Sequence, residues 1–328
     1  MRNARIISTG AYAPERGLTN DYFDDFLGVD VGTWLRDSAQ IYERRRVGEG
    51  ESTSTLAREA SRICLDRAGV KPGELDLIIV STDTPDYQSP ATASVLQHIF
   101  GANRAAAFDV NAACAGFVTA LDMAAKYIRS DAQYTNVLVV GAYAMSRHLN
   151  MQDKKTVTLF ADGAGAVLLR AEETEKGYQT AQLISKGQYW DYMGVYAGGT
   201  ARPITEEVRA NAEDKLVFAK KFPPTLNPEM WSGMVHEMCR RLEVQPGDVA
   251  KYFFTQININ AILATLVLLE LPHERAHNVM HYYGYTGSAC IPMAFNEAWE
   301  QGLIKKDDLI MFVSSGGGLA YASAAFVL

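Results

Sequence analysis

The chain has 328 residues, of which 48% are hydrophobic and 21% charged, and a formal net charge of −7. That length and apolar content support one large core or two ordinary ones. The acidic balance argues against general binding to nucleic acid or to an anionic membrane, because neutralising phosphate needs an excess of Lys and Arg.

The N-terminus enters a strand-like R-I-I-S-T-G at 5–10, with no charged region leading into a long apolar one. No uncharged stretch reaches the ~18 residues that span a bilayer, so a cytoplasmic protein without a membrane partner is expected. Leu56, Ala60, Ile63 and Cys64 recur at helical spacing, which makes Cys64 a core residue. A Pro72-Gly73 turn precedes the apolar run 77–80, the pattern of a strand covered on both faces. Phe108, Asp109 and Val110 read as a strand end. After Cys114, the positions Phe117, Leu121, Ala124 and Ile128 repeat helically, and 137–140 is another covered strand.

From there the chain repeats itself. Segments 4–12, 70–82, the surroundings of Cys114 and 136–143 recur in that order at 181–189, 244–256, around Cys290 and 309–316, at offsets of 173 to 177 residues. Four ordered matches indicate a duplicated half of roughly 175 residues rather than a short-period solenoid. Alternating strands and helices, short turns and no Pro/Ser-rich linker predict two intimately packed α/β halves about a pseudo-twofold axis. Cys64, Cys114, Cys239 and Cys290 lie far apart without metal-ligand spacing, as free thiols in a reducing compartment do. No metal site is expected.

Cys114 stands in D-V-N-A-A-C-A-G-F at 109–117, between a strand end and a helix start. Unpaired amides and the positive dipole end there lower a thiol pKa. Ala112, Ala113, Ala115 and Gly116 leave room for a substrate, and the Cys114 N–H is placed to face an oxyanion. The other reading is a small buried cysteine at a tight strand–helix packing point.

With S-T-D-T-P-D at 81–86, L-F-A-D-G-A-G-A-V-L-L at 159–169, Y-T-G-S-A-C-I-P at 285–292 and S-G-G-G-L at 315–319, this segment resembles β-ketoacyl-ACP synthase III and its relatives in the thiolase superfamily. The resemblance covers essentially the whole chain. It implies an α/β, five-layered α-β-α-β-α sandwich of two βαβαβαββ halves, here 1–172 and 173–328, usually as a homodimer. It also implies that Cys114 takes an acyl group from a CoA thioester. Malonyl-ACP or malonyl-CoA then loses CO2 and attacks the acyl-enzyme. Covalent catalysis divides one difficult substitution into two easier ones. The N–H groups of Cys114 and Gly317 match the oxyanion donors. No permanently bound cofactor is implied: acyl-CoA is a substrate, and acyl carrier protein a candidate partner.

Two positions depart from the family pattern. Where the family has a histidine in a P-H-Q-A-N type segment, this chain reads F-T-Q-I-N-I, with Gln256. Where it has an asparagine in Y-G-N-T, this chain reads Y-G-Y-T, with Tyr285. In the family those side chains hold the malonyl thioester oxygen as it becomes an enolate. Gln256 keeps an N–H donor but does not titrate. Tyr285 keeps an O–H with a reference pKa of ~10, and either fills the space of the malonyl arm or reaches across as a donor. Both changes count against standard decarboxylating condensation.

His277 and His281 precede that turn and are read as ordinary strand or turn residues. Asn258 and Asn260 are either pocket donors or helix caps. Trp34 matches a tryptophan that stacks near the CoA adenine. Ser38 stands where an arginine is expected, with Arg36 as its substitute. Lys154 matches an arginine near the phosphates, keeping the charge without the bidentate fork. Arg44-Arg45-Arg46 is a phosphate patch or a solvated turn. Ser89 lies on a loop that in family dimers reaches the partner's acyl pocket. Three functions follow. The first is an acyltransferase that forms a Cys-bound thioester from acyl-CoA, then completes a Claisen-type condensation or acyl transfer. The second is thiolytic cleavage of a β-ketoacyl-CoA. The third is a noncatalytic subunit paired with an active homologue.

Overall fold

A computed structural model describes residues 1–328. Its principal strands fall into two sheets. β1 (Arg2–Tyr12), β2 (Leu77–Ser81), β3 (Ala106–Val110), β4 (Asn136–Ala144) and β5 (Asp162–Glu173) form one, in the order β1-β5-β4-β2-β3. β4, β2 and β3 run parallel, whereas β1 and β4 both pair antiparallel with β5. β6 (Gly177–Ser185), β7 (Lys251–Phe254), β8 (Leu309–Gly316) and β9 (Ala320–Val327) form the other, in the order β7-β8-β9-β6. The second sheet repeats the first less one strand. In place of a counterpart to β3 there is a single parallel bridge between Tyr252 and Ala276. The segment there, P-H-E-R-A-H-N at 272–278, offers a proline and charged residues instead of an apolar run, and such a segment does not sustain a ladder.

Strand alternation sorts the side chains into layers. Ile78 and Val80 point outward to α1 (Thr53–Ala68) and α2 (Thr92–Phe100), meeting Leu56, Ala60, Ala93 and Leu96. Leu77 and Ile79 point inward to Phe117 and Leu121 of α3 (Gly116–Ser130). On the second sheet Phe253 and Phe312 turn inward, where Phe312 meets Phe295 of α6 (Cys290–Glu300), with ring centroids 5.2 Å apart. Tyr252 and Phe254 turn outward to α4 (Leu226–Leu242) and α5 (Ile259–Leu268), over Trp231, Val235 and Ile262. The outcome is the expected α-β-α-β-α sandwich, with α3 and α6 between the sheets.

The repeated turns fold alike. Pro72–Glu74 and Pro246–Asp248 are both 3-10 helices. In each, the carboxylate accepts the amide three residues earlier, Lys71 N to Glu74 Oε2 at 2.8 Å and Gln245 N to Asp248 Oδ2 at 2.7 Å. Cys64 is fully buried on α1, and burial pushes its thiol up to about 12. Arg44 and Arg46 are neither a phosphate patch nor a solvated turn. Both guanidinium groups are buried against the ring of Phe23, at 4.9 and 5.2 Å from its centroid. Arg44 donates to the Thr158 carbonyl and Asn20 Oδ1, and Arg46 to the Val157 carbonyl. Burial lowers the Arg44 pKa to about 9. No helix is long and apolar enough to cross a membrane, and no cluster of three or more His, Cys, Asp or Glu side chains is set to hold a metal.

Candidate active site

Between the end of β3 at Val110 and the start of α3 at Gly116 the chain must reverse sharply. Ala113 makes the reversal with a φ of 46°, a left-handed conformation that costs a residue with a Cβ about 1–3 kcal/mol. Cys114 follows it. The end of β8 closes over the same turn: a Cβ on Gly316 would lie 2.5 Å from the Ala112 carbonyl oxygen and 2.8 Å from the Cys114 nitrogen. The small residues around Cys114 therefore serve close approach of the two halves as well as access to the sulfur.

Cys114 lines a cavity of about 360 Å³. Tyr285, Ser315 and Gly317 share the lining, and Leu159, Phe218 and Phe222 contribute to its apolar wall. The backbone N–H groups of Cys114 and Gly317 are not spent on backbone acceptors, which leaves both for an oxyanion. Trp34 also stands in the lining and is 54% exposed.

Tyr285 lines the cavity with its side chain buried. Its backbone is clamped to the first half: Tyr285 N donates to the Leu159 carbonyl and Ala161 N to the Tyr285 carbonyl, both at 2.9 Å. Its ring meets Phe160 edge-on at 5.3 Å. The hydroxyl hydrogen-bonds to Cys114 and so favours the thiolate, but burial outweighs it. The sulfur is nearly enclosed, and desolvation pushes the thiol well above its usual range, with the charge of Asp83 adding to the rise. The lowered pKa expected from the helix start is thus overturned: the dipole end is a weaker influence than removal from water. Burial likewise raises the Tyr285 phenol.

Gln256 does not join the lining. Its neighbour Ile257 does. The Gln256 side chain is fully buried and turned to the chain that leads to Tyr285. Oε1 accepts from Val279 N at 2.8 Å and Met280 N at 3.1 Å, and Nε2 donates to the His277 carbonyl at 3.3 Å. Of the two asparagines offered as caps or pocket donors, Asn258 is the helix cap. Each lines the cavity, while Asn258 Oδ1 caps α5 through Asn260 N at 3.0 Å and Asn260 Nδ2 donates to the Ser38 carbonyl at 3.1 Å.

Arg36 lies outside the lining, 3.9 Å from Asp21 Oδ1 and hydrogen-bonded to Thr33. Ser38 is within it. Lys154 is exposed at the start of the short helix Lys154–Val157. His277 pairs with Glu297 at 3.1 Å and His281 Nδ1 is 2.6 Å from the Gln40 carbonyl oxygen, so neither histidine serves the cavity. The sequence does not single out Met193, Phe218, Phe222 or Asn227. Met193, Phe218 and Phe222 come from a stretch of two-residue strands and loops in which no hydrophobic period marks a wall, and Asn227 from the first turn of α4.

Comparison with known proteins agrees with this architecture. The family model for 3-oxoacyl-[acyl-carrier-protein (ACP)] synthase III matches residues 108–187, and its C-terminal model matches 239–328. The β-ketoacyl-[acyl-carrier-protein] synthase III of Roseiflexus sp. (strain RS-1) is 38% identical, over 98% of this chain and 97% of its own. The crystal structure of the Thermus thermophilus synthase III superposes with a TM-score of 0.90 at 30% identity, covering 99% of both chains. That of the Aquifex aeolicus VF5 enzyme gives 0.88 at 30% identity, over 99% of this chain and 100% of its own. With the duplicated thiolase fold and both family models in place, the chain belongs to the 3-oxoacyl-[acyl-carrier-protein] synthase III family, as a ketoacyl synthase III-like transferase.

Proposed function

We propose that the protein takes an acyl group from an acyl-CoA onto Cys114 as a thioester and passes it to a second substrate, by carbon–carbon condensation or by acyl transfer. The observation that carries this reading is Cys114 in the wall of a largely apolar cavity, beside two uncommitted N–H groups, its own and that of Gly317. An acyl chain fits the apolar wall, and the N–H pair stabilises the tetrahedral oxyanion. Tyr285 is the hydrogen-bond donor to the sulfur. Gln256 enters as a positioning residue, because its amide braces the segment that carries Tyr285. Trp34 offers a stacking face to the CoA adenine, and the exposed cations Arg36 and Lys154 meet its phosphates. No cofactor is held between turnovers.

Decarboxylation of a malonyl group is the half-reaction this reading supports least, because the position matching the family's histidine holds an amide turned away from the cavity. The chain further reads as two halves, 1–172 and 173–328, acting in the cytoplasm as a homodimer. β3 supports the dimer: it is the open edge of the first sheet, with Ala107 to Val110 only half-buried. Acyl carrier protein is a candidate second partner.

Intact mass after incubation with a panel of acyl-CoAs tests the reading. An acyl adduct that is absent in Cys114→Ala supports it, and CO2 release from malonyl-CoA then separates condensation from plain acyl transfer. A noncatalytic subunit is the second reading, favoured by the depth of Cys114 and its raised thiol pKa. It gives no adduct with any donor.

A further inference from the structure

The segment that leaves β7 departs from the family pattern at two adjacent positions. Beside Gln256, Thr255 stands where the P-H-Q-A-N type segment has its proline. A proline has neither an N–H nor a hydroxyl, so every hydrogen bond that Thr255 makes through those groups is one the family pattern does not supply. It makes three. Thr255 N donates to the Val313 carbonyl at 3.2 Å. Its Oγ1 accepts from Ser315 N at 3.0 Å and donates to the Ser315 carbonyl at 3.2 Å. Thr255 and Ser315 are both buried, so water does not compete for these bonds. β7 ends at Phe254, paired with Val313, whereas β8 runs on to Gly316. The threonine therefore carries the join between the two strands past the end of β7.

Just beyond that join lies the oxyanion side of the site. Gly316 is the next residue, set so close to the Cys114 turn that a Cβ on it would lie 2.8 Å from the Cys114 nitrogen. Gly317 follows in the cavity lining, with an N–H that no backbone acceptor takes. It opens the turn from β8 to β9, outside both strands, and has no side chain to anchor it. The place of its amide is thus set by the strand end it leaves. We propose that Thr255 is a positioning residue for the oxyanion site: by clamping both backbone groups of Ser315, it fixes the Gly317 N–H relative to Cys114. The proposal rests on the acyl-thioester reading above. Thr255 does not line the cavity, so it acts through the strand and not on substrate. Its influence falls on reactions that build an oxyanion at Cys114, because only these need the Gly317 amide in place.

Two reactions of Cys114, each followed by intact mass, separate this role from a purely structural one. Acetylation by acetyl-CoA passes through an oxyanion, and alkylation by iodoacetamide does not. Thr255→Val keeps the shape of the side chain and removes the hydroxyl. It should slow acetylation about 10- to 10²-fold, the scale of a misplaced reacting group, and leave alkylation at the wild-type rate. Thr255→Ser keeps the hydroxyl and should acetylate like the wild type. Equal slowing of both reactions in Thr255→Val overturns the proposal, because the residue would then only hold the fold. Acetylation of Thr255→Val at the wild-type rate overturns it too. Hydrogen exchange of the wild type, resolved to single amides, needs no variant: the Ser315 N–H should be protected and the Gly317 N–H open. A rapidly exchanging Ser315 amide overturns the clamp whether or not Thr255→Val folds. If the wild type is alkylated but takes no acetyl group, the acyl-CoA reading falls and the oxyanion role with it, while protection at Ser315 still decides the clamp.

Discussion

Replacing Gln256 by alanine removes a brace rather than a donor to substrate. Its Oε1 is the acceptor of two amides, Val279 N and Met280 N, on residues that are 2% and 0% exposed. A buried amide stripped of its acceptor costs about 1–3 kcal/mol, so the pair costs about 2–6 kcal/mol. The third bond, to the His277 carbonyl at 3.3 Å, is the longest and adds least. Guanidinium unfolding followed by tryptophan fluorescence measures the loss. Gln256→Glu supplies an internal check with a definite sign. Protonated, it can accept both amides and donate to His277; ionised, it sets a carboxylate oxygen against that carbonyl. Its folded pKa is therefore raised above the unfolded ~4.3, and the stability it has below that pH is lost as pH rises through the folded value. A loss under about 1 kcal/mol in Gln256→Ala would refute the reasoning, because the amide would then be free to turn to the cavity.

Other outcomes follow from the same geometry. Tyr285→Phe deletes the hydrogen bond that favours the ionised sulfur, so the thiolate limb of Cys114 alkylation should move to higher pH; an unmoved limb would remove Tyr285 from the site. Gly316→Ala drives a Cβ to 2.5 Å from the Ala112 carbonyl oxygen. It should cost about 1–3 kcal/mol in unfolding experiments as overpacking does, and acyl-adduct formation should fall with it. Asp83 also leaves a stability signature. Its carboxyl titrates near 6 when folded and near ~3.9 when unfolded. Below the unfolded value it costs nothing. As pH rises toward the folded value the unfolded chain ionises first, and folding loses up to about 3 kcal/mol. Asp83→Asn should match the wild type near pH 4 and exceed it at pH 7 in thermal melts, and equal melts at pH 7 would contradict that assignment.

The layers were legible because their signals are periodic. Runs such as 77–80 and 137–140 declare strands covered on both faces, and the Pro-Gly turns at 72 and 246 declare the duplication together with three further matches in the same order. Cys114 was legible because four small neighbours make poor packing partners for a core cysteine. What the sequence conceals is direction. Gln256 and Ile257 are adjacent, and which of them faces the cavity depends on how the chain leaves β7. The thiol pKa was hidden for a related reason. A helix start can be read from sequence, but the depth of burial that overrides it is a property of two sheets closing together. Arg44 and Arg46 look solvated in a run of three charges, yet strand alternation turns both onto Phe23 and leaves Arg45 to pair with Glu43 at 2.9 Å.

The duplication also supplies an internal control for the proposed nucleophile. Cys114 and Cys290 lie 176 residues apart, each at the start of a central helix. Both are buried, and both thiols are raised first by desolvation, that of Cys290 to about 12. A helix dipole common to both cannot be what would set one of them apart as the nucleophile. The difference is in access. The backbone N–H of Gln256 bonds the Cys290 sulfur, and the turn before Cys290 is pressed onto Tyr143 so tightly that a Cβ on Gly287 would lie 2.4 Å from the ring. Cys114 instead opens on the cavity, beside two amides that no backbone acceptor takes. On the acyl-thioester reading proposed above, reactivity is set less by a standing thiolate than by access to the sulfur and a place for the oxyanion.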